Sequence, residues 1–127
     1  MPAGARLFLA LGGLSALVAV ALGAFGAHAL KTRLSPDLLA VWHTGVQYHF
    51  YHSLGLAIVG LAFFHLPGDL ALRASGWLMA AGILLFSGSL YALALSGQKW
   101  LGALAPAGGT AFLLAWAALA WAVLRAP

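Results

Sequence analysis

Five side chains that could take part in chemistry stand near the start of one long apolar stretch. Residues three or four apart share a helix face, so Tyr48 and His49 both neighbour His52, whereas His43 and Gln47 form a separate pair. In a bilayer such groups need partners, so they predict either hydrogen bonds between helices or a ligand site. The five, in the segment from Val41 to Phe64, are His43, Gln47, Tyr48, His49 and His52.

Other apolar stretches contribute polar groups that the topology predicts to lie on the same side. The run FSGSLYA, residues 86–92, supplies two serines and a tyrosine, and one histidine stands where the first stretch ends. We therefore expect a polar interhelical cluster displaced toward one leaflet. Its predicted members are His28, Tyr48, His52, Ser87, Ser89 and Tyr91, with His43, Gln47 and His49 as secondary members.

The pattern leaves several types of chemistry open. The cluster could be a structural hydrogen-bond network, or His28 and His52 could serve as axial haem ligands or quinone partners from different helices. A metal site on His49, His52 and a further histidine would have a poor ligand set, since the chain lacks cysteine and both acids lie outside the spans. The same lack of an intramembrane carboxylate disfavours coupled transport. We predict no catalytic residue, no metal and, apart from the haem or quinone alternative, no cofactor.

The composition predicts an integral membrane protein. Hydrophobic residues make up 64% of the 127 residues, charged residues make up 6%, and the mean hydropathy is +1.01. A soluble domain has about 25% charged residues, so this chain could not cover a soluble surface. The six Lys and Arg residues are spread over the loops, which gives no basic patch for nucleic acid.

Four apolar windows are long enough to cross a bilayer. They lie at about 7–27, 43–64, 74–96 and 101–124, with an interfacial segment at about 35–42. Ser35 followed by Pro36 predicts a helix start, with Ser35 as the N-cap. Because backbone groups in lipid must be satisfied internally, we predict one all-α domain over residues 1–127, a four-helix transmembrane bundle with both termini on the same side.

The orientation depends on a nearly balanced charge count. Arg6, Arg73 and Arg125 flank the spans on one side, and Lys31, Arg33 and Lys99 on the other. The N-terminal amine tips the positive-inside rule toward cytoplasmic termini.

Small residues predict where helices approach closely, because apolar burial does not by itself drive association in lipid. They recur at helical spacing in the first, third and fourth windows. The residues expected to form this packing motif are Gly23, Gly26, Gly88, Pro106, Gly108 and Gly109.

Four runs resemble domain-of-unknown-function family 423, the small bacterial membrane proteins of the YgdD/YwdK type, which are similar to the vertebrate transmembrane protein 256. These runs are ALGAFGAHAL at 21–30, TGVQYHFYHSL at 44–54, FSGSLYALALS at 86–96 and APAGGTAFLLAW at 105–116. Tyr48 and His52 match the family pattern, whereas His43 and His49 do not. The resemblance implies a multi-span inner-membrane protein and implies no activity.

Two functions are therefore compatible with the sequence. The first is a non-enzymatic accessory or structural subunit that packs against a larger membrane complex or a second copy of itself. The second is a membrane redox subunit that binds haem or quinone through the histidine and tyrosine cluster.

Overall fold

The computed structural model describes all residues 1–127 and is all-helical, with no strands. Four long helices follow one another: α1 at Ala3–His28, α2 at Pro36–Ala62, α3 at Leu70–Ser96 and α4 at Ala105–Leu124. Short 3₁₀ segments at Leu30–Thr32 and Lys99–Leu104 lie in two of the connections. The expectation of an all-α chain is confirmed.

Three helical segments are apolar and long enough to cross a membrane, namely Ala3–Thr32, Leu70–Ser96 and Lys99–Leu124. The helix α2 falls outside this group because its histidines, tyrosines and glutamine, between His43 and His52, lower the mean hydropathy of its central part. Four spans were expected, and hydropathy supports three of them.

The start of α2 has the predicted cap. The Ser35 hydroxyl accepts a hydrogen bond from the Leu38 N–H at 3.3 Å, and Pro36 occupies the first turn, where its missing N–H leaves no bond unmade. The helix then continues without a break to Ala62, so the expected interfacial segment forms its first turns.

A glycine turn and a short 3₁₀ segment connect α3 to α4. The chain leaves α3 through Gly97, which has the left-handed φ of 71° that favours glycine, and forms a 3₁₀ segment before α4 begins at Ala105. The predicted window at about 101–124 lies within the apolar helical segment Lys99–Leu124, whose α-helical part has Pro106 in its first turn, where the missing N–H leaves no bond unmade.

A π-helical turn at Ile83–Ser87 interrupts α3. The segment before it, Leu70–Gly82, and the segment after it, Gly88–Ser96, are α-helical. A π turn adds a residue to the ladder and so shifts which residues face a neighbouring helix. No feature of the sequence predicted this turn.

The helices pack in chain order around α2 and α3. Helix α1 packs on α2, α2 packs on α3, and α3 packs on α4. The main core contains Phe8, Leu56, Phe63, Met79 and Phe112.

Backbones touch where glycine removes the side chain. A Cβ built on Gly12 would lie 2.8 Å from the Ser53 carbonyl oxygen, and one built on Gly60 would lie 2.8 Å from the Leu9 nitrogen. Close contacts of this kind allow α1 and α2 to pack tightly in lipid.

The predicted packing motif is only partly used for packing. Gly26 lies under the Trp42 indole, Gly23 touches Val46, and Gly108 lies against the Phe86 backbone. A Cβ on Gly88 or Gly109 would meet no atom within 4 Å, and Pro106 is exposed at the start of α4. Gly88 directly follows the π turn, and the residue that this turn inserts shifts it away from a packed face.

An ion pair joins two helix ends at one end of the bundle. The Arg125 guanidinium donates to Asp69 Oδ2 at 2.7 Å, and the Leu72 N–H donates to Asp69 Oδ1 at 2.8 Å. The backbone hydrogen bond from Leu72 and the nearby Arg125 charge lower the pKa of the Asp69 carboxyl, although burial partly opposes them. The rings of Phe8 and Phe63 stack near this end at 5.8 Å.

Candidate functional site: two histidine networks

Polar and aromatic side chains gather near the midpoint of the helices. Phe86 lies midway between Arg73 and Lys99 in the sequence, Phe112 lies midway between Lys99 and Arg125, and their rings are 5.7 Å apart. The His52 ring stacks on Phe112 with centroids 3.4 Å apart and planes at 9°. The rings of Phe86, Phe112 and His52 therefore lie near the middle of their helices, and the expected displacement of the whole cluster toward one leaflet stays a prediction.

The first network, the His49 network, links α1, α2 and α3. His49 Nδ1 lies 2.9 Å from the Tyr91 hydroxyl, and His49 Nε2 lies 3.1 Å from the Ser15 hydroxyl. The Ser15 hydroxyl in turn lies 2.7 Å from the Ser53 hydroxyl, which donates to the His49 carbonyl at 2.8 Å. His49 is only 5% exposed.

The proton positions in the His49 network follow from counting donors for a neutral ring. The Ser53 proton goes to the His49 carbonyl, so the Ser15 hydroxyl must donate to the Ser53 oxygen. The Ser15 oxygen then accepts from His49 Nε2–H, which leaves Nδ1 as the acceptor of the Tyr91 proton. Every donor is used once, and the chain runs in one direction from Tyr91 to Ser53.

The second network, the His52 network, links α2 and α4. The Trp116 Nε1–H donates to His52 Nε2 at 3.1 Å, and His52 Nδ1 lies 2.7 Å from the Tyr48 carbonyl. A carbonyl can only accept, so His52 carries its proton on Nδ1. His49 and His52 are therefore opposite tautomers, three residues apart on one helix.

Several expected members of the cluster make other contacts. The Ser87 hydroxyl donates to the Gly45 carbonyl at 2.7 Å, and the Ser89 hydroxyl donates to Phe86 within its own helix. Tyr48 contributes its ring, 4.7 Å from Phe86, while its hydroxyl makes no hydrogen bond. His28 is exposed at the end of α1 and takes no part in either network.

The secondary members separate in the structure. His49 forms the centre of one network, although it was predicted only as a secondary member and His52 as a main one. His43 and Gln47 lie on the exposed face of α2 without side-chain hydrogen bonds. Helical spacing predicted that His43 and Gln47 lie on a different face of α2 from His52, and in the structure they do.

Some partners were missed because their residue types carry little signal in an apolar segment. Ser15 is the only hydroxyl in α1, and Ser53 directly follows His52 in the sequence, so a helix turns it toward a different face. The hydrogen bond that Trp116 donates to His52 was not predicted either. A third missed bond joins the Ser75 hydroxyl to the Ala115 carbonyl at 2.7 Å.

The two histidines proposed as haem ligands do not fit that role. Both ring nitrogens of His52 are engaged in hydrogen bonds, and Phe112 covers one face of the ring. His28 lies close to Lys31 at the end of α1, whereas His52 lies at mid-depth. No group of three His, Cys, Asp or Glu side chains comes together in a metal-binding arrangement.

Long apolar helices that share interior hydrogen bonds define a small helical membrane protein. The chain belongs to the family described as a protein of unknown function, DUF423, whose model matches residues 22–109. The matched range contains His49, His52 and Tyr91, while Ser15 and Trp116 lie outside it.

Curated relatives agree with this assignment. The chain is 48% identical over 120 residues to the UPF0382 membrane protein YwdK of Bacillus subtilis (strain 168), covering 94% of this chain and 98% of the relative. It is 42% identical over 122 residues to a UPF0382 membrane protein of Staphylococcus epidermidis (strain ATCC 12228), covering 94% and 97%. No solved structure matches the chain significantly.

Proposed function

We propose that this protein is a non-enzymatic accessory or structural subunit that packs against a larger membrane complex. In this proposal all four helices cross the inner membrane, with both termini in the cytoplasm. The observation that carries it is a set of unpaired polar groups on the exposed face of α2, at a depth where lipid offers no partner.

The polar groups on this face are Gln47 and Tyr51. Tyr51 is 51% exposed, Gln47 is also exposed, and neither side chain has a hydrogen-bond partner within the chain. Both line a groove beside Ala19, which lies about midway between Arg6 and Lys31. Leaving an amide or a hydroxyl unpaired in hydrocarbon costs several kcal/mol, so a partner that supplies these bonds would be strongly favoured.

The shape of this face suits another helix. The groove has a volume of about 540 Å³. On the α1 side all but one of its lining residues, Val20, are alanine or glycine, which let a second backbone come close. These residues are Ala19, Gly23, Ala24 and Ala27.

The contacts at the two ends of α2 support its crossing the membrane with the others. Phe63 stacks on Phe8 at one end, and Trp42 covers Gly26 at the other, so α2 matches the length of α1. The ion pair of Asp69 with Arg125 lies at the same end as Phe8, which supports both termini on one side.

Copurification from native membranes tests the accessory role. We expect the tagged protein to recover a membrane-protein partner in a fixed ratio, and the double variant Gln47→Leu, Tyr51→Phe to lose at least about four-fifths of it, since two buried polar pairs are removed. Leu61→Ala, on the same exposed face but apolar, is the matched control. A wild-type protein found only as a free monomer would contradict the proposal, and a complex of two identical chains would replace it with a homo-oligomer.

The orientation has its own test because the chain has no cysteine. A single Ala126→Cys variant in intact cells should resist a membrane-impermeant maleimide until the cells are opened. Labelling in intact cells would place the C-terminus outside.

A further inference from the structure

A second groove lies between α1 and α3, on the other side of the molecule from the α2 face discussed above. Both helices pack on α2 but leave a space between them of about 450 Å³. Leu14 and Val18 line it from α1, Leu84 and Gly88 line it from α3, and His49 lies at its floor.

The groove continues past Ser15 into a smaller hollow of about 220 Å³. Leu11, Ser15, Ile83 and Leu84 border both spaces. Because the two spaces share these residues, they lie next to each other along α1 and α3. The larger one is lined on α1 from Leu11 to Leu22, about 16 Å along the helix axis, which is long enough for part of an extended hydrocarbon chain.

The His49 network presents only acceptors to this groove. The Tyr91 proton is used on His49 Nδ1, the Nε2 proton on Ser15, and the Ser15 proton on Ser53. Tyr91 Oη and Ser15 Oγ each keep a free lone pair, and both residues line the groove. A molecule that hydrogen-bonds here must therefore supply the proton.

The depth of these acceptors restricts the ligand further. Tyr91 lies five residues beyond Phe86, the midpoint of α3 between its flanking cations, which is about 7.5 Å along the helix axis. The hydrocarbon half-thickness is about 15 Å, so a charged or glycerol headgroup held at the bilayer surface would not reach this position.

We propose that the groove between α1 and α3 binds a neutral lipophilic molecule with a hydroxyl group, such as a quinol or a prenol. The hydroxyl donates to Tyr91 Oη or Ser15 Oγ, and the tail lies along Leu14, Val18 and Leu84. This site is separate from the face of α2 and does not depend on the accessory role. It differs from quinone binding at His28 and His52 in its location and in the direction of the hydrogen bond. Here the ligand must be the donor, and an oxidised quinone has no proton to donate.

Paired probes test whether the ligand must donate a hydrogen bond to the site. Wild-type protein in nanodiscs would be titrated under anaerobic conditions with decylubiquinol and with farnesol, each beside its O-methylated form. We expect each hydroxyl probe to bind threefold to tenfold more tightly than its ether, the range for one hydrogen bond. Preference for the quinol alone would identify the ring as part of the recognised chemistry, whereas equal binding of the alcohols and ethers would overturn the proposal.

Two variants test the place of the site. Gly88→Leu should abolish binding and leave the fold intact, since a Cβ at Gly88 meets no atom within 4 Å and the larger side chain would fill the groove. Tyr91→Phe should reduce the preference for the hydroxyl probe over its ether. Ser75→Ala, which removes a hydrogen bond to Ala115 elsewhere in the bundle, is the matched control and should bind as wild type does. Unchanged binding in Gly88→Leu would show that the probe lies elsewhere.

Discussion

His49 and His52 stand three residues apart on α2 and are equally buried, but they are held in different ways. His49 lies among hydroxyls from α1 and α3 as well as its own helix. His52 lies among aromatic rings, with one hydrogen bond to α4 and one to its own backbone. A buried imidazole in this bundle is thus accommodated either by a directed hydrogen-bond chain or by stacking with a single outside donor.

The difference determines how many helices depend on each ring. The His49 network connects three helices, and removing its centre would leave two hydroxyls without their partners. The His52 network connects two, and much of its contact is the face of Phe112. Helix association in lipid depends on packing and on interhelical hydrogen bonds, so the two histidines should contribute unequally to stability.

The largest expected effect comes from breaking the close contact between α3 and α4 at Gly108, next to the aromatic rings around His52. A Cβ on Gly108 would overlap the Phe86 backbone, so Gly108→Ala should push α3 and α4 apart and destabilise the bundle by about 3 kcal/mol, the upper end for overpacking. Thermal unfolding in detergent or nanodiscs would measure it. Gly109→Ala is the control, since its Cβ meets open space and should leave stability nearly unchanged. Equal effects of the two substitutions would show that α3 and α4 are not held at this contact.

The second prediction compares the two histidines directly. His49→Leu should cost about 2 kcal/mol, because two interhelical hydrogen bonds are lost and two hydroxyls are left unpaired. His52→Leu should cost about 1 kcal/mol, because one interhelical hydrogen bond and a ring contact are lost while leucine still packs on Phe112. Unfolding free energies of both variants in the same lipid would check the order. A larger loss for His52→Leu would reverse our view of which network joins the bundle.

The third prediction concerns the tautomers. In the wild type, nitrogen-15 NMR should find the proton of His49 on Nε2 and that of His52 on Nδ1. Trp116→Phe removes the donor to His52 Nε2 while keeping an aromatic ring, so it should cost about 0.5 kcal/mol and leave the His49 signals in place. A change in the His49 signals would mean that the two networks are coupled. The same tautomer at both histidines in the wild type would refute the proton assignment.

The parts of the fold that were predicted correctly depend on local chemistry. The helical class follows from long apolar runs, and the start of α2 follows from the Ser35 cap and Pro36. The π turn at Ile83–Ser87 could not be predicted in this way, since its residues are ordinary helix formers and the turn arises with the packing against Gly108 and the bond from Ser87 to Gly45.

The candidate site shows the same limit. Spacing on one helix showed that Tyr48 and His49 neighbour His52, but it could not show which side of α2 each neighbouring helix occupies. The arrangement of the helices around α2 places Ser15 beside His49 and Trp116 beside His52, and it leaves Gln47 exposed. A single serine in α1 carries almost no signal until the contact between α1 and α2 at Gly12 brings it to Ser53.

The smallest expected effect lies beyond both networks, at the ion pair of Asp69 with Arg125. Because the pKa of Asp69 is lower in the folded protein, this carboxylate stabilises the fold above its ordinary pKa of about 3.9, and the contribution disappears as the pH falls through the folded value. Arg125 is 45% exposed at its side chain, so the pair should contribute less than about 0.5 kcal/mol. Asp69→Asn should therefore reduce the loss of stability below about pH 4. If Asp69→Asn instead changed the tautomer signals of His49 or His52, the ion pair at the end of the bundle would be electrostatically coupled to the histidines in its middle. The different tautomers of His49 and His52 could then not be attributed to their own hydrogen-bond partners alone.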